Sequence, residues 1–191
     1  MNRTDQARPA PARWRARATA VIAGALSLTG VGAVLSPAAA NAYTLEGIEW
    51  NASSLRINDS GVSGNYASGL QAAVNDYSAT QAPSLSLTTA SGPTFTARVA
   101  NYGNTGWEGQ TTSVSVLGYV TSANSKLNSY YLSGAGWIRD SVVWAHELGH
   151  ALGLGHVAGL HHVMYKSASA AFDDGVTGLT ADEVNGINYI Y

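Results

Sequence analysis

The chain has 191 residues, of which 46% are hydrophobic and 12% are charged, and its formal net charge at pH 7 is −2. A chain of this length can bury enough apolar surface for one compact domain with its own core. It contains no cysteine, which excludes disulfides, thiolate zinc ligands and cysteine nucleophiles.

The first 42 residues have the pattern of a secretory signal peptide. Five arginines form a basic region, residues 18–35 are apolar and rich in Ala and Gly, and Ala40-Asn41-Ala42 supplies a small-x-small cleavage pattern. We therefore predict cleavage after Ala42 and a secreted, extracellular protein. A retained membrane anchor is the alternative, but the apolar stretch is weakly hydrophobic and barely long enough to span a bilayer.

Residues 43–191 are predicted to form one domain, since they contain no internal repeat, long linker or charge block. Their five basic residues stand against eleven acidic ones, and the basic residues form no cluster. Such a surface does not suit a phosphate backbone, so we expect no nucleic-acid partner. Because there is no second apolar span, we also expect no membrane contact after signal cleavage. We expect the protein to be a monomer.

Hydrophobic periodicity predicts several strands and one helix between residues 43 and 140. Apolar residues that alternate with polar ones indicate half-buried strands, whereas apolar residues three or four apart indicate an amphipathic helix. The glycine-rich stretch at residues 101–110 is predicted to be a loop. Strands are predicted at residues 54–58, 84–89, 95–99, 114–120 and 125–132, a turn at residues 122–124 and a helix at residues 64–77.

Two helices are predicted after residue 140. Asp140 is placed to cap the first, which runs over residues 141–152. Residues 180–183 form a capping box that begins the second. Strands and one helix followed by two helices predict an α+β domain, with Trp137 in its core.

All five histidines fall between residues 146 and 162, and three share one run, H-E-L-G-H-A-L-G-L-G-H. On a helix, residues four apart share a face, so His146 and His150 can direct their rings at one metal ion. Gly153 permits a sharp turn that brings His156 back toward them. Three imidazoles leave the fourth tetrahedral position of Zn²⁺ open, as in a catalytic site. Glu147 is placed to reach a metal-bound water without being a ligand itself.

The spacing of this run is specific. Three His, one Glu and one Gly at these positions arise by chance on the order of once in 10⁵ chains of this composition. The alternative is an amphipathic core helix with hydrogen-bonded histidines, but such helices seldom hold every histidine of a protein in one short segment. In the zinc-site interpretation, Glu147 is placed to take a proton from a metal-bound water.

The histidine run resembles that of the metzincin zinc peptidases, and V-M-Y at residues 163–165 follows at the distance expected of their Met-turn. Residues 143–156 and 179–187 are similar to the matrixin branch, and motif-level similarity extends over residues 141–191. The resemblance implies a metzincin-like catalytic domain. Such a domain has a twisted mixed β-sheet above a zinc-binding active-site helix, followed by a C-terminal helix.

The resemblance also implies how the site works. One catalytic zinc ion lies above Met164, which forms a hydrophobic floor and does not ligate. A protein or peptide substrate lies extended along an edge strand, for which residues 114–120 are the candidate. Tyr165 is a candidate pocket residue, which either hydrogen-bonds the reaction intermediate or packs in the pocket wall.

The chain departs from the matrixin pattern in three respects. Matrixins commonly hold a cysteine-bearing pro-segment over the zinc, but this chain has no cysteine. The family often has Pro-x-Tyr after the Met-turn, where this chain has Lys166-Ser167-Ala168. No histidines are left to build the family's second, structural zinc site.

These features predict a secreted zinc endopeptidase that hydrolyses peptide bonds in extended substrates, with His146, His150 and His156 as zinc ligands and Glu147 as general base. Two other functions stay open. One is a secreted binding module with a structural or latent zinc site, and the other is a zinc amidase acting on cell-wall peptides.

Two further sets of residues have two interpretations each. His161 or His162 could close the fourth zinc position, or they could be loop residues that flank the cleft. Asp173 and Asp174 could bind Ca²⁺ as a second cofactor, or they could form a solvated turn.

Overall fold

The structure, a computed structural model, describes residues 43–191. The predicted signal peptide and its cleavage site lie outside the described residues. Within residues 43–191, no helix is long and apolar enough to cross a bilayer. The strands are β1 (Thr44–Leu45), β2 (Ser54–Asn58), β3 (Ser84–Thr88), β4 (Phe95–Ala100), β5 (Gly109–Val116), β6 (Tyr119–Asn128) and β7 (Leu154–Gly155). The helices are α1 (Gly64–Ser78), α2 (Ser129–Leu132), α3 (Trp137–Ala151), α4 (Ala168–Asp173) and α5 (Ala181–Ile190).

Five of these strands form a mixed sheet in the order β3-β2-β4-β6-β5. The first four strands in that order run parallel to their neighbours, and β5 is antiparallel to β6. A separate antiparallel pair joins β1 to β7. The predicted α+β class with a mixed sheet, an active-site helix and a C-terminal helix is therefore confirmed.

The hydrophobic core lies between the sheet and the helices α1 and α3. Alternate residues of β2 and β4, such as Ile57 and Phe95, are fully buried, as expected for strands with one face in the core. Trp50 stacks on Phe95 with ring centroids 5.6 Å apart. Trp144 of α3 is also fully buried, so the helix that carries the histidine run is anchored in this core.

Most predicted elements before residue 100 agree with the structure to within one residue. The alternation at residues 54–58 forms β2, and the helical spacing at residues 64–77 forms α1, which buries Leu70, Val74 and Tyr77. These elements are predictable because their apolar periodicity is local and each has one clearly buried face.

The prediction for residues 114–132 is wrong. The structure has a hairpin of β5 and β6 that turns at Leu117 and Gly118, not at residues 122–124. Both turn residues have positive φ, 53° and 85°, the pattern of a two-residue type I′ turn. Leucine gives no turn signal at such a position. The predicted strand at residues 114–120 therefore spans the end of the edge strand and the start of its partner.

The active-site helix begins one turn earlier than predicted. It starts at Trp137 with Gly136 at its N-cap, so Asp140 lies inside the helix and is not its cap. Trp137 is 48% exposed, so its assignment to the core is also wrong. Trp137 and Ile138, the first two residues of the helix, are exposed, so the apolar periodicity from which a buried helix face is recognised starts only after them.

Candidate active site

The histidine run forms the end of α3 and the turn after it. His146 and His150 are one helical turn apart on α3, which ends at Ala151. Gly153 then adopts a φ of 98°, a left-handed conformation that favours glycine, and the chain turns back. The turn brings His156 to the other two histidines. The three Nε2 atoms lie 3.1–3.2 Å from one another.

These three nitrogens fit a zinc ion. Ligand nitrogens at normal zinc distances in a tetrahedron lie about 3.3–3.4 Å apart, close to the spacing observed. Within the described residues, this is the one group of three or more His, Cys, Asp or Glu side chains with converging ligand atoms. Three neutral imidazoles are a common zinc ligand set.

The partners of the other ring nitrogens support the same interpretation. Nδ1 of His146 donates to the carbonyl of Val163 at 2.7 Å, and Nδ1 of His150 lies 2.8 Å from Glu46 and 3.0 Å from the carbonyl of Leu154. In a neutral imidazole only one nitrogen carries a proton, so both Nε2 atoms are bare acceptors. Two facing acceptors 3.1 Å apart repel each other, and a cation between them removes that repulsion.

The surroundings favour the neutral, metal-binding form of two of the three histidines. Burial, followed by the charge of His150, lowers the pKa of His146 to about 3. Burial and His150 likewise lower the pKa of His156. Burial also acts to lower the pKa of His150, but the Glu46 hydrogen bond and the charge of Glu147 outweigh it, and the net shift is upward. His146 and His156 are therefore neutral near pH 7.

Glu147 is buried beside the histidines, with only 4% of its surface exposed. Thr111 of β5 donates a hydrogen bond to Glu147 Oε2 at 2.7 Å. Burial raises the pKa of Glu147 to about 7, although the Thr111 hydrogen bond acts in the opposite direction. A Cβ at Gly109 would lie 2.4 Å from Glu147 Oε1, so the glycine at the start of β5 leaves the space that this carboxylate occupies.

Met164 packs directly against α3. A Cβ at Gly149 would lie 2.4 Å from the sulfur of Met164, so the methionine reaches the helix backbone between His146 and His150. The buried carboxylate of Glu183 accepts a hydrogen bond from the Met164 backbone N–H at 3.1 Å and completes the capping box of α5 with Thr180. The C-terminal helix thus holds the segment that carries Met164.

The histidines and Glu147 lie in a cleft of about 680 Å³. Other parts of the chain also line this cleft, among them β5 with the loop before it, the segment 166–168 after residues 163–165, and the N-terminal segment with Glu46. Glu108 joins two of these parts, since its carboxylate accepts hydrogen bonds from the Ser169 backbone at 2.9 Å and the Ser167 hydroxyl at 3.3 Å. Trp107 and Tyr131 also line the cleft.

The remaining candidate residues lie away from the histidine cluster. His161 pairs with Asp174, and His162 contacts Thr180 and Asp182, so neither is placed to close a fourth metal position. Tyr165 is partly buried against the core and is not among the residues that line the cleft.

The structure gives no support to a calcium site at Asp173 and Asp174. Asp173 forms an ion pair with Arg139, and Asp174 pairs with His161. Each carboxylate therefore already faces a basic side chain, and the two do not converge with other acidic ligands in residues 43–191.

Two contributors to the site were not found from sequence. Glu46 and Thr111 lie 104 and 36 residues from His150 and Glu147, the residues with which they form hydrogen bonds. For Thr111, strand alternation could have predicted which face of the sheet its side chain occupies, but only once the bounds of the edge strand were known.

The model of the matrixin peptidase family matches residues 94–191, just over half of the chain. The chain belongs to the matrixin family. The matched residues contain the edge strand β5, the histidine run, the Met-turn and α5. No curated protein matches the chain. As a matrixin, the protein is a zinc metallopeptidase, and a peptidase acts on protein or peptide substrates.

Proposed function

We propose that this matrixin is a secreted zinc endopeptidase that cleaves extended protein or peptide substrates. The observation that carries this proposal is the convergence of three Nε2 atoms in an open cleft beside the carboxylate of Glu147. His146, His150 and His156 are the proposed metal ligands. A zinc ion held there would supply a Lewis acid for a scissile carbonyl and would lower the pKa of water toward about 7.

Glu147 is the proposed general base. Its carboxylate lies in the cleft next to the metal-binding nitrogens and is held by Thr111, so it can take a proton from the attacking water. The same group can then deliver that proton to the leaving amine. A site that only holds a metal for structural reasons has no use for an oriented carboxylate at this position.

The substrate is proposed to bind along β5. This strand pairs with β6 on one side, and its other side forms the edge of the sheet and lines the cleft. An extended peptide can add to such an edge through main-chain hydrogen bonds. The edge runs over Gly109–Val116, so the substrate-binding segment differs from the one predicted at residues 114–120.

We further propose that cleavage after Ala42 releases residues 43–191 as an extracellular, monomeric domain. The support is the signal-like pattern of residues 1–42 and the single core formed by the described residues. Mass spectrometry of the secreted protein would give its N-terminal residue, which is expected to be Tyr43.

The activity is tested by incubating the secreted protein with casein and with a random peptide pool, with and without a zinc chelator. Mass spectrometry of the cut ends is expected to show internal cleavage that the chelator abolishes and added zinc restores. A parallel sample of cell-wall peptides distinguishes an amidase. Zinc-loaded protein that cuts none of the protein or peptide substrates would overturn the endopeptidase proposal, and cleavage of cell-wall peptides alone would favour the amidase.

A further inference from the structure

The Nδ1 atom of His150 has two acceptors. Glu46 Oε1 lies 2.8 Å away and the carbonyl oxygen of Leu154 lies 3.0 Å away. Glu46 is 104 residues from His150 in the chain and lies in the segment that precedes the whole five-stranded sheet. Its side chain therefore reaches His150 from a different part of the fold.

The backbone around Glu46 is held in place by the turn that follows α3. The strand β1 pairs with β7, so that Leu45 faces Leu154, and the Glu46 N–H then donates to the Gly153 carbonyl at 2.8 Å. A Cβ at Gly153 would lie 2.2 Å from the Ile48 carbonyl oxygen, so the two segments are in close contact. The turn that places His156 thus also places Glu46.

The three histidines differ in the hydrogen-bond partner of Nδ1, the ring nitrogen that does not face the other histidines. The Nδ1 of His146 has a neutral backbone carbonyl, that of Val163, as its partner. Across residues 43–191, Nδ1 of His156 has no hydrogen-bond partner, and His150 is the one member of the triad with a carboxylate behind it. A carboxylate on the far nitrogen of a ligand histidine orients the ring and raises its basicity toward a metal.

We propose that Glu46 is a positioning residue for His150, whose negative charge strengthens the binding of a metal ion at His150 Nε2. The inference rests on the proposed zinc site. Because the Leu154 carbonyl already accepts from Nδ1, it is sufficient to select the tautomer with a bare Nε2. What Glu46 adds is its charge and a second restraint on the ring.

A variant without the charge distinguishes an effect of the charge from an effect of packing or hydrogen bonding. Glu46→Gln retains the size of the side chain and an oxygen acceptor but loses the charge. If packing or hydrogen bonding alone mattered, this variant would behave like the wild type. If the charge matters, Glu46→Gln already loses metal affinity, and Glu46→Ala loses at least as much.

The experiment compares wild type, Glu46→Gln, Glu46→Ala and the control Glu49→Gln. Glu49 lies on the same segment and carries the same charge, but it has no contact with the histidines among the described residues. Zinc affinity is measured by competition with a chromogenic chelator, and the visible spectrum is recorded after loading with Co²⁺. The thermal midpoint of the metal-free protein reports on folding.

We expect one bound zinc in the wild type, zinc binding about 10-fold weaker in Glu46→Gln and Glu46→Ala, and unchanged binding in Glu49→Gln. The Co²⁺ spectrum should shift in both Glu46 variants while their metal-free midpoints stay close to that of the wild type. Wild-type affinity and spectrum in Glu46→Gln would overturn the role of the charge and leave the zinc site intact. An equal loss of zinc affinity in Glu49→Gln would show that the effect does not depend on the contact between Glu46 and His150. A wild type without zinc would overturn the site and the inference together.

Discussion

Thr111 and Glu147 are joined by a hydrogen bond of 2.7 Å between the Thr111 hydroxyl and the Glu147 carboxylate. The edge strand β5 therefore contributes to the active site in two ways. Its outer side is the edge of the sheet, along which the substrate is proposed to bind, and its Thr111 side chain holds the proposed general base. Gly109, two residues earlier, leaves the space in which the carboxylate lies.

Replacing Thr111 by Val should lower kcat about 10-fold, because the side chain keeps its branched shape but no longer donates to the carboxylate. Since the hydrogen bond acts to lower the pKa of Glu147, its loss should also move the acidic limb of kcat/KM to higher pH. Steady-state kinetics over a range of pH would measure both effects. Thr111→Ser, which retains the hydroxyl, is the matched control. An unchanged kcat in Thr111→Val would show that the hydrogen bond does not orient the base.

Replacing Glu147 by Gln should leave zinc binding intact and reduce kcat by at least about 10²-fold, because the amide cannot accept the proton of the attacking water. Metal content by atomic spectroscopy and turnover of a cut peptide would be measured on the same preparation. His150→Ala should lose both zinc and activity. Turnover close to the wild-type value in Glu147→Gln would contradict the assignment of Glu147 as base.

Replacing Gly153 by Ala should destabilise the protein more than the same change at Gly175. Both glycines have nearly the same φ, 98° and 99°, so each alanine carries a left-handed backbone cost of about 1–2 kcal/mol. Only at Gly153 would the new Cβ meet another group, the Ile48 carbonyl at 2.2 Å, whereas nothing lies within 4 Å at Gly175.

Urea unfolding of the two metal-free variants should therefore give a loss of about 3 kcal/mol or more for Gly153→Ala and about 1 kcal/mol for Gly175→Ala. Gly153→Ala should also bind zinc more weakly, because the same turn places His156. Equal losses of stability in the two variants would show that the close approach of Gly153 to Ile48 does not add to the cost of the substitution.

Asp140 is a buried carboxyl that should make stability depend on pH. Only 1% of its surface is exposed, and its Oδ1 has no hydrogen-bond partner in residues 43–191. Burial raises its pKa to about 6, although Arg139 acts to lower it. The folded state therefore binds this proton more tightly than the unfolded state, and the contribution of Asp140 to stability falls as the pH rises from about 4 to about 6.

The change Asp140→Asn isolates this contribution, because other groups, including His146, also titrate in acid. The stability of Asp140→Asn relative to the wild type should increase by about 1–2 kcal/mol between pH 4 and pH 6. Urea unfolding of both metal-free proteins at several pH values would measure the difference. A difference that does not vary with pH would contradict the raised pKa of Asp140.

Local patterns in the sequence were sufficient for much of the candidate site. The spacing of His146 and His150 places both rings on one helix face wherever the helix lies, and the turn at Gly153 follows because glycine alone adopts its φ at little cost. The capping box of Thr180 and Glu183 likewise depends on residues three apart. The helix start at Trp137 and the hairpin turn at Leu117 were missed, since neither carries a local signal.

The sequence by itself determined the local placement of the histidine run and the α+β class, because each depends on residues that are close along the chain. The tertiary structure alone decided which strand lies at the sheet edge, that Thr111 holds Glu147 and that Glu46 stands behind His150. These contacts join residues 36 and 104 positions apart. They form only when the packing of the whole core brings their strands and helices together, and no periodicity of 2 or 3.6 residues encodes that packing.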